Sequence, residues 1–334
     1  MRVNFFCRLT VVSSVVLNTG AIARSMAQEA PPNAGKNVIV AADGSGDFKT
    51  VQEAVNAVPS DKNQRFVIHI KPGTYKEKIA VPVEKPPITF LGEDAATTIL
   101  TFDDLAKNAG PNGKEIGTGK SATVSIQAPD FQAEKITFEN TAGPRGRAVA
   151  VNVSGDRGVF RKCRFLGWQD TLLTKRNRQY FEDCYIAGST DFICGASTAW
   201  FERCHLHERQ DSYITAASTP QEQPFGYVFS NCIITAEPAI KTLLGRPWRG
   251  FASVTFRNTT MHDVIRPEGW DNWGKTKYEK TVRYAEYGSK TPEGKLIDLS
   301  QRVAWAKRLS AEEAKAITLS KVLGEFGTAI EGRN

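Results

Sequence analysis

Histidine is scarce in this chain, with four residues in 334: His69, His205, His207 and His262. No two of the six cysteines stand in C-x-x-C spacing, so the ligand clusters of zinc sites are missing and no metal is expected. No G-x-S-x-G occurs, which together with the few histidines disfavours a Ser-His-Asp hydrolase. No dense Lys/Arg tract with interleaved aromatics is present, so nucleic acid is not an expected partner. Beyond the first 27 residues no apolar run is long enough to span a bilayer. Composition is also without extremes, at 41% hydrophobic and 24% charged, which suggests neither a disordered chain nor a membrane bundle.

The N-terminus is the exception. Arg2 and Arg8 precede a short apolar run, Leu9 to Leu17, broken by Thr and Ser alone. Small residues follow, ending Ser25-Met26-Ala27, a cleavage site of the A-x-A kind. Residues 1–27 therefore read as a secretory signal peptide, too short and polar for a transmembrane helix. The mature chain, 28–334, is expected to be exported, extracellular or periplasmic, away from the membrane once the signal is cleaved. No linker or composition break divides it, so one domain is expected, and it is taken as a monomer. The net charge of +7 and pI near 9.0 suit an anionic polymer but do not single one out.

The middle of the chain repeats. Lys135-Ile-Thr-Phe-Glu-Asn140, Gly158-Val-Phe-Arg-Lys-Cys-Arg-Phe165, Tyr180-Phe-Glu-Asp-Cys-Tyr-Ile186, Trp200-Phe-Glu-Arg-Cys-His-Leu206, Val228-Phe-Ser-Asn-Cys-Ile-Ile234 and Val254-Thr-Phe-Arg-Asn-Thr-Thr-Met261 line up. Phe160, Phe181, Phe201, Phe229 and Phe256 hold one place, at spacings of 21, 20, 28 and 27 residues. Units of this length cannot bury their own apolar face and must stack as a solenoid. Each unit is short β-rich runs broken by Gly, Asn and Asp, with no amphipathic helix, which excludes helical and leucine-rich repeats. The expected fold class is all-β, a parallel β-helix. The Phe column should stack internally, and Cys163, Cys184, Cys204 and Cys232 should form another column.

That cysteine column has two readings. Buried thiols can fill a ladder as small hydrophobes. Alternatively, coils about 4.8 Å apart bring Cys184 and Cys204 near the lower end of disulfide Cα distances. In an oxidising compartment one or two disulfides with at least one thiol left over would follow. At the N-terminal end, Thr50 to Val58 has helical spacing, with Val51, Ala54, Val55 and Val58 on one face. A helix there would cap the open end of the solenoid. Ser310-Ala-Glu-Glu313 is a capping box ahead of a C-terminal helix running to Leu323. Met261 to Gln301 reads as long loops that could wall a groove.

Two acidic residues break the repeat in neutral, apolar surroundings. Asp170 lies seven residues after Cys163 and Asp191 seven after Cys184, so both occupy the same place on consecutive coils. Two carboxylates on one face form a like-charge pair, and one proton should be retained well above the usual Asp range. Such a pair supplies an acid and a base, or an acid and a nucleophile. The competing reading is a pair of turn residues at a solenoid corner.

Several short segments then resemble the pectin methylesterases, and the match covers nearly all of the mature chain. Asp43-Gly-Ser-Gly-Asp-Phe-Lys-Thr-Val-Gln-Glu-Ala-Val55 resembles the start of that family's domain, and Gly73-Thr-Tyr-Lys-Glu77 its G-x-Y-x-E. Gln169-Asp170-Thr171-Leu172 matches Q-D-T-L, Asp191-Phe-Ile-Cys-Gly195 matches D-F-I-F-G with one change, and Leu244-Gly-Arg-Pro-Trp248 matches L-G-R-P-W. A secreted, bacterial-type member is expected. The resemblance implies a right-handed parallel β-helix, in agreement with the repeat, and hydrolysis of the C6 methyl esters of homogalacturonan, releasing methanol and pectate, without a cofactor. It implies Asp191 as nucleophile, Asp170 as general acid/base, Arg246 as the arginine bonded to the nucleophile, and Gln169 as an oxyanion donor. Arg147 and Trp248 are implied substrate-binding residues, with Tyr75 and Trp270 added as further aromatic candidates.

Two departures stand out. Arg147-Ala-Val-Ala-Val151 replaces the usual Q-A-V-A-L; Arg147 could still donate to the oxyanion, bind a neighbouring free carboxylate of the polymer, or alter the substrate pattern. Cys194 replaces a usual Phe, removing a large apolar surface. These changes keep two alternatives in view: an esterase of the same fold acting on another ester or thioester, and an inactive sugar-binding homologue. A pectin lyase or polygalacturonase is disfavoured by the same segments.

Overall fold

Each coil of the chain lays down three short strands separated by tight corners, and each strand pairs in parallel with its counterparts on neighbouring coils. The computed structural model describes residue 1, residues 37–60 and residues 64–332. Among them, three parallel sheets form. The first has eleven strands, from Asn37–Val40 to Lys307–Arg308. The second has eight, from Gly73–Lys76 to Thr260–Met261, and the third seven, from Ile79–Val81 to Leu243–Gly245. Between Phe66–Ile70 and Leu243–Gly245 the chain visits the sheets in that order on each coil, giving the right-handed parallel β-helix that parallel crossovers favour. Among the described residues no helix is long and apolar enough to cross a membrane. Apart from Met1, the expected signal segment lies outside the described residues, as does Cys7.

The phenylalanine column holds the register of the first sheet. Phe160 pairs with Phe181, Phe181 with Phe201, Phe201 with Phe229 and Phe229 with Phe256. Their rings stack at centroid distances of 4.9, 4.6, 4.5 and 4.5 Å. All five are fully buried, and each contributes roughly 1.5–3 kcal/mol of apolar burial. The longer spacings beyond Phe201 are absorbed by loops outside the strands, so the register survives. Lys135–Asn140 departs from the expected alignment: its Phe138 belongs to the second sheet, stacked on Phe165 at 5.4 Å. Its first-sheet counterpart on that coil is Ala133, which pairs with Phe160.

The thiols take the ladder reading. Cys163, Cys184, Cys194, Cys204 and Cys232 are free and buried, so the disulfide expectation is not met. Cys184, Cys204 and Cys232 donate to the Phe160, Phe181 and Phe201 carbonyls of the preceding coils at 3.5, 3.6 and 3.4 Å.

At the N-terminal end the helix Val51–Ala57 buries Val51, Ala54 and Val55, with Thr50 and Glu53 forming a capping box. The C-terminal helix differs from expectation. The Ser310–Glu313 capping box is present, but it starts a five-residue helix, Ala311–Lys315. Thr318 then caps Leu319–Leu323, and Gly324, at φ +65°, breaks the chain before Glu325–Glu331. The last two pack Leu319, Leu323 and Phe326 against Tyr180 and Trp200 on the outside of the first sheet. The stretch between Met261 and Gln301 is also more ordered than expected, because Arg283–Tyr287 joins the first sheet beside Ser253–Arg257.

Candidate active site

The corner between the second and third sheets carries both aspartates. Leu172 pairs with Ile193 in the third sheet, which puts Asp170 and Asp191, each two residues earlier, on matching places of consecutive coils. Both backbones are left-handed, with φ +64° and +55°, a conformation that Asp tolerates better than most residues. The turns are tied to the next coil: Asp170 N–H donates to the Thr190 carbonyl at 3.1 Å, and Asp191 N–H to the Tyr213 carbonyl at 2.8 Å. Gly188, at the second-sheet edge of this corner, cannot carry a side chain, since a Cβ would run into Phe192 and the Trp168 carbonyl.

Along the third sheet, Leu172 and Ile193 face the core while Leu173, Cys194 and Ala216 face outward beneath Trp248 and Trp273. This outward strip floors a cavity of about 200 Å³ that Arg147, Gln169, Asp170, Asp191, Arg246 and Trp248 also line. The structure thus brings together six of the eight expected site residues.

Arg246 follows the third-sheet strand Leu243–Gly245 and reaches back across the intervening coil to Asp191. Its Nε donates to Asp191 Oδ1 at 2.9 Å and its Nη2 to Oδ2 at 2.7 Å, a bidentate pair. The guanidinium lies between two rings, 4.0 Å from the Tyr213 centroid and 3.8 Å from that of Trp273. This stacking fixes the plane in which the fork meets the carboxylate.

Burial raises the pKa of both aspartates, with different oppositions. Asp170 is pushed up to about 7 by burial first and by the Asp191 charge second, against the pull of Arg147 and Arg246. Asp191 is raised by burial, and the hydrogen bonds and charge of Arg246 work the other way. The cation therefore favours charge on Asp191, and the proton of the pair resides on Asp170. Desolvation is thus a larger cause than the like-charge repulsion expected from the sequence. Cys194 stays a neutral thiol, held far above its usual range by burial and the two aspartates.

Gln169 is half-buried at the cavity, and among the described residues its side-chain amide has no protein partner. Arg147 is exposed at the rim, and no ion pair engages it among the described residues.

Two expected substrate-binding aromatics need correction. Trp270 is 1% exposed, stacked on Tyr284 at 4.4 Å and hydrogen-bonded to Glu286 Oε1, so it is core and cannot offer a face to a sugar. Tyr75 is 4% exposed and donates its hydroxyl to the Lys71 carbonyl, within the coil that packs near the N-terminal cap. The aromatic that does reach the cavity from the later loops is Trp273, held at φ +58° with its N–H on Asp271 Oδ1. Tyr213 and Thr118 were likewise not singled out. The sequence signal for Trp273 was its place in the Trp-rich stretch expected to wall a groove.

A family model described as Pectinesterase matches residues 37–325. Pectinesterase 31 of Arabidopsis thaliana is 43% identical over 284 residues, covering 83% of this chain and 89% of that protein. Pectin methylesterase from carrot superposes with a TM-score of 0.82 at 36% identity, over 90% of this chain and 97% of that one. A pectin methylesterase solved in complex with a hexasaccharide gives a TM-score of 0.75 at 29% identity, over 86% and 96%. The curated relative and the carrot structure are plant enzymes, so the expected bacterial-type label finds no support.

Proposed function

The chain belongs to the pectinesterase family, and from that premise we infer that it is a carboxylic ester hydrolase removing the methyl esters of pectin through Asp191 and Asp170. The observation that carries the assignment of roles is the bidentate Arg246–Asp191 pair beside an Asp170 that keeps its proton to about 7. Arg246 holds Asp191 as an aimed anion, which attacks the ester carbonyl carbon. The carbonyl oxygen takes the charge and accepts a hydrogen bond from the unengaged Gln169 amide. Collapse expels methoxide, which leaves as methanol with the proton of Asp170, and a mixed anhydride remains on Asp191. Asp170, now ionised, takes a proton from water; the resulting hydroxide adds to the acyl carbon, and Asp191 departs as carboxylate. Ester and water have become acid and methanol, and both aspartates are restored.

Trp248, half-buried above the outward strip, supplies a face for a sugar ring, and Arg147 supplies a cation at the rim. The hexasaccharide bound by the related structure supports a pectin chain as the ligand of this cleft. The mature protein is read as residues 28–334, one domain, exported and monomeric.

Methanol release from highly methylated pectin tests the assignment. Asp191→Ala is expected to lose about 10⁶-fold in rate, the scale seen when a nucleophile is removed. Wild-type rates in that variant would overturn the roles. A wild type that hydrolyses another ester and leaves pectin untouched would overturn the substrate.

A further inference from the structure

Arg147 lines the Asp170–Asp191 cavity, and Arg249 and Lys275 stand against two of the rings that line it, all three without a carboxylate partner among the described residues. Arg147 stands exposed on the coil before Asp170, one strand away in the third sheet. On the other side, Arg249 lies 5.6 Å over the Trp248 ring and Lys275 4.5 Å over the Trp273 ring. The nearby acids are engaged elsewhere, Asp271 with the Trp273 N–H and Glu279 with Asn272. Arg157, Arg178 and Arg203, by contrast, each hold carboxylates at hydrogen-bond distance. The charged groups around Asp170 are Asp191, Arg246 and Arg147, and the Arg147 charge opposes the proton that the departing methanol needs. A bare cation there works against the reaction, and an anion brought by the substrate would remove that opposition.

Resting on the pectin reading above, we propose that Arg147 is a specificity-determining residue that pairs with the free carboxylate of a galacturonate next to the reacting ester. A planar guanidinium fits a carboxylate bidentately, and the reaction itself makes such carboxylates along the polymer. The enzyme then favours esters beside already hydrolysed units and is inhibited by its fully hydrolysed product. Neutralising Arg147 by substrate also lets Asp170 keep its proton to higher pH, so the alkaline limb of kcat lies higher on partly hydrolysed pectin than on fully esterified pectin.

The test compares KM and kcat for methanol release from pectins of high and of intermediate esterification, with polygalacturonate as inhibitor. The variants are Arg147→Gln and Arg147→Lys. Arg147→Gln is expected to raise KM on the intermediate pectin about fivefold more than on the highly esterified one, the scale of a half-exposed ion pair, and to weaken polygalacturonate inhibition similarly. It also removes the difference in alkaline limb between the two pectins. Arg147→Lys keeps most of the wild-type preference, and about 1 M salt, with a Debye length near 3 Å, erases it. Equal losses on both pectins, or a fall in kcat with KM and inhibition unmoved, would overturn the proposal and place Arg147 on the reacting ester. If the wild type releases methanol from neither pectin, the parent reading fails; equal losses in an active enzyme sink this inference alone.

Discussion

The corner between the first and second sheets bends at Lys135, Lys162, Asp183, Arg203, Asn231 and Asn258, all left-handed with φ between +50° and +55°. Among non-glycine residues, the next corner bends in the same way at Asp170, Asp191 and Ala239, the last on an exposed loop away from the site. The first column accepts lysine, arginine, asparagine and aspartate alike, because its side chains point to water and the backbone alone is constrained. At the second, the two consecutive coils of the site carry acids turned into a cavity. Each corner also holds an Arg–Asp pair of similar length. Arg203 meets Asp183 at 2.9 Å with side chains 48% and 38% exposed, while Arg246 meets Asp191 at 2.7 Å with 16% and 6%. A left-handed bend and an ion pair therefore do not distinguish a working site from scaffold. Removal from water does, since it makes each charge dependent on its partner.

The largest break in that comparison comes from Arg246→Gln. Asp191 would lose its cation while remaining buried, a change that typically costs about 3–5 kcal/mol when one member of a buried pair is removed. The rate of methanol release should fall about 10²- to 10³-fold, as for loss of one preorganised charge-stabilising group. Arg246 opposes the burial-driven rise of Asp191, so without it Asp191 protonates at higher pH and the acid limb of the rate profile moves up. An unchanged acid limb in an otherwise folded variant would show that Arg246 does not set the charge of Asp191.

Much of this contrast was legible in the sequence for a physical reason. A solenoid repeats its environment, so the equal offsets of Asp170 and Asp191 from Cys163 and Cys184 translate directly into spatial adjacency. The Phe column was legible on the same ground. Arg246 has no such periodic mark and came from its resemblance to a known segment. Trp273 was missed and Trp270 chosen in its place, three residues away, because which indole reaches the cavity depends on how the loop after Arg266 wraps. Trp270 forms an isolated bridge to Gly245 and is pulled inward onto Tyr284, which carries Trp273 outward over Arg246. The split of the C-terminal helix turns on Thr318 and Gly324, local signals that a run of good helix formers concealed.

A second test sharpens what burial does at Asp170. Its folded pKa of about 7 lies above the unfolded value of 3.8, so the folded state binds more protons between those limits. The stability tied to that proton is fully present below about pH 3.8 and is lost as pH rises through about 7. Asp170→Asn, neutral at every pH, should match the wild type in stability near pH 4 and exceed it at pH 8, by up to a few kcal/mol on the scale of roughly 1.4 per pKa unit. Denaturant melts at the two pH values check this. A difference that does not change with pH would mean that Asp170 does not carry the raised proton.

The smallest effect belongs to the exposed corner, and it separates the bend from the charge. Asp183→Asn removes the carboxylate but keeps a residue that visits the left-handed region readily. Arg203 retains Glu182, which its Nη2 reaches at 2.6 Å, so no buried charge is left alone. The expected loss is about 0.5 kcal/mol or less, as for exposed ion pairs generally. Asp183→Ala removes the same charge and puts a Cβ without a local hydrogen-bonding partner at φ +51°, which should cost roughly 1 kcal/mol more. Thermal melts of the two variants, read against each other, isolate the backbone contribution. If Asn and Ala are equally mild, the left-handed column is not under strain; if both cost several kcal/mol, the Asp183–Arg203 pair matters as much as the buried one and the contrast between the two corners fails.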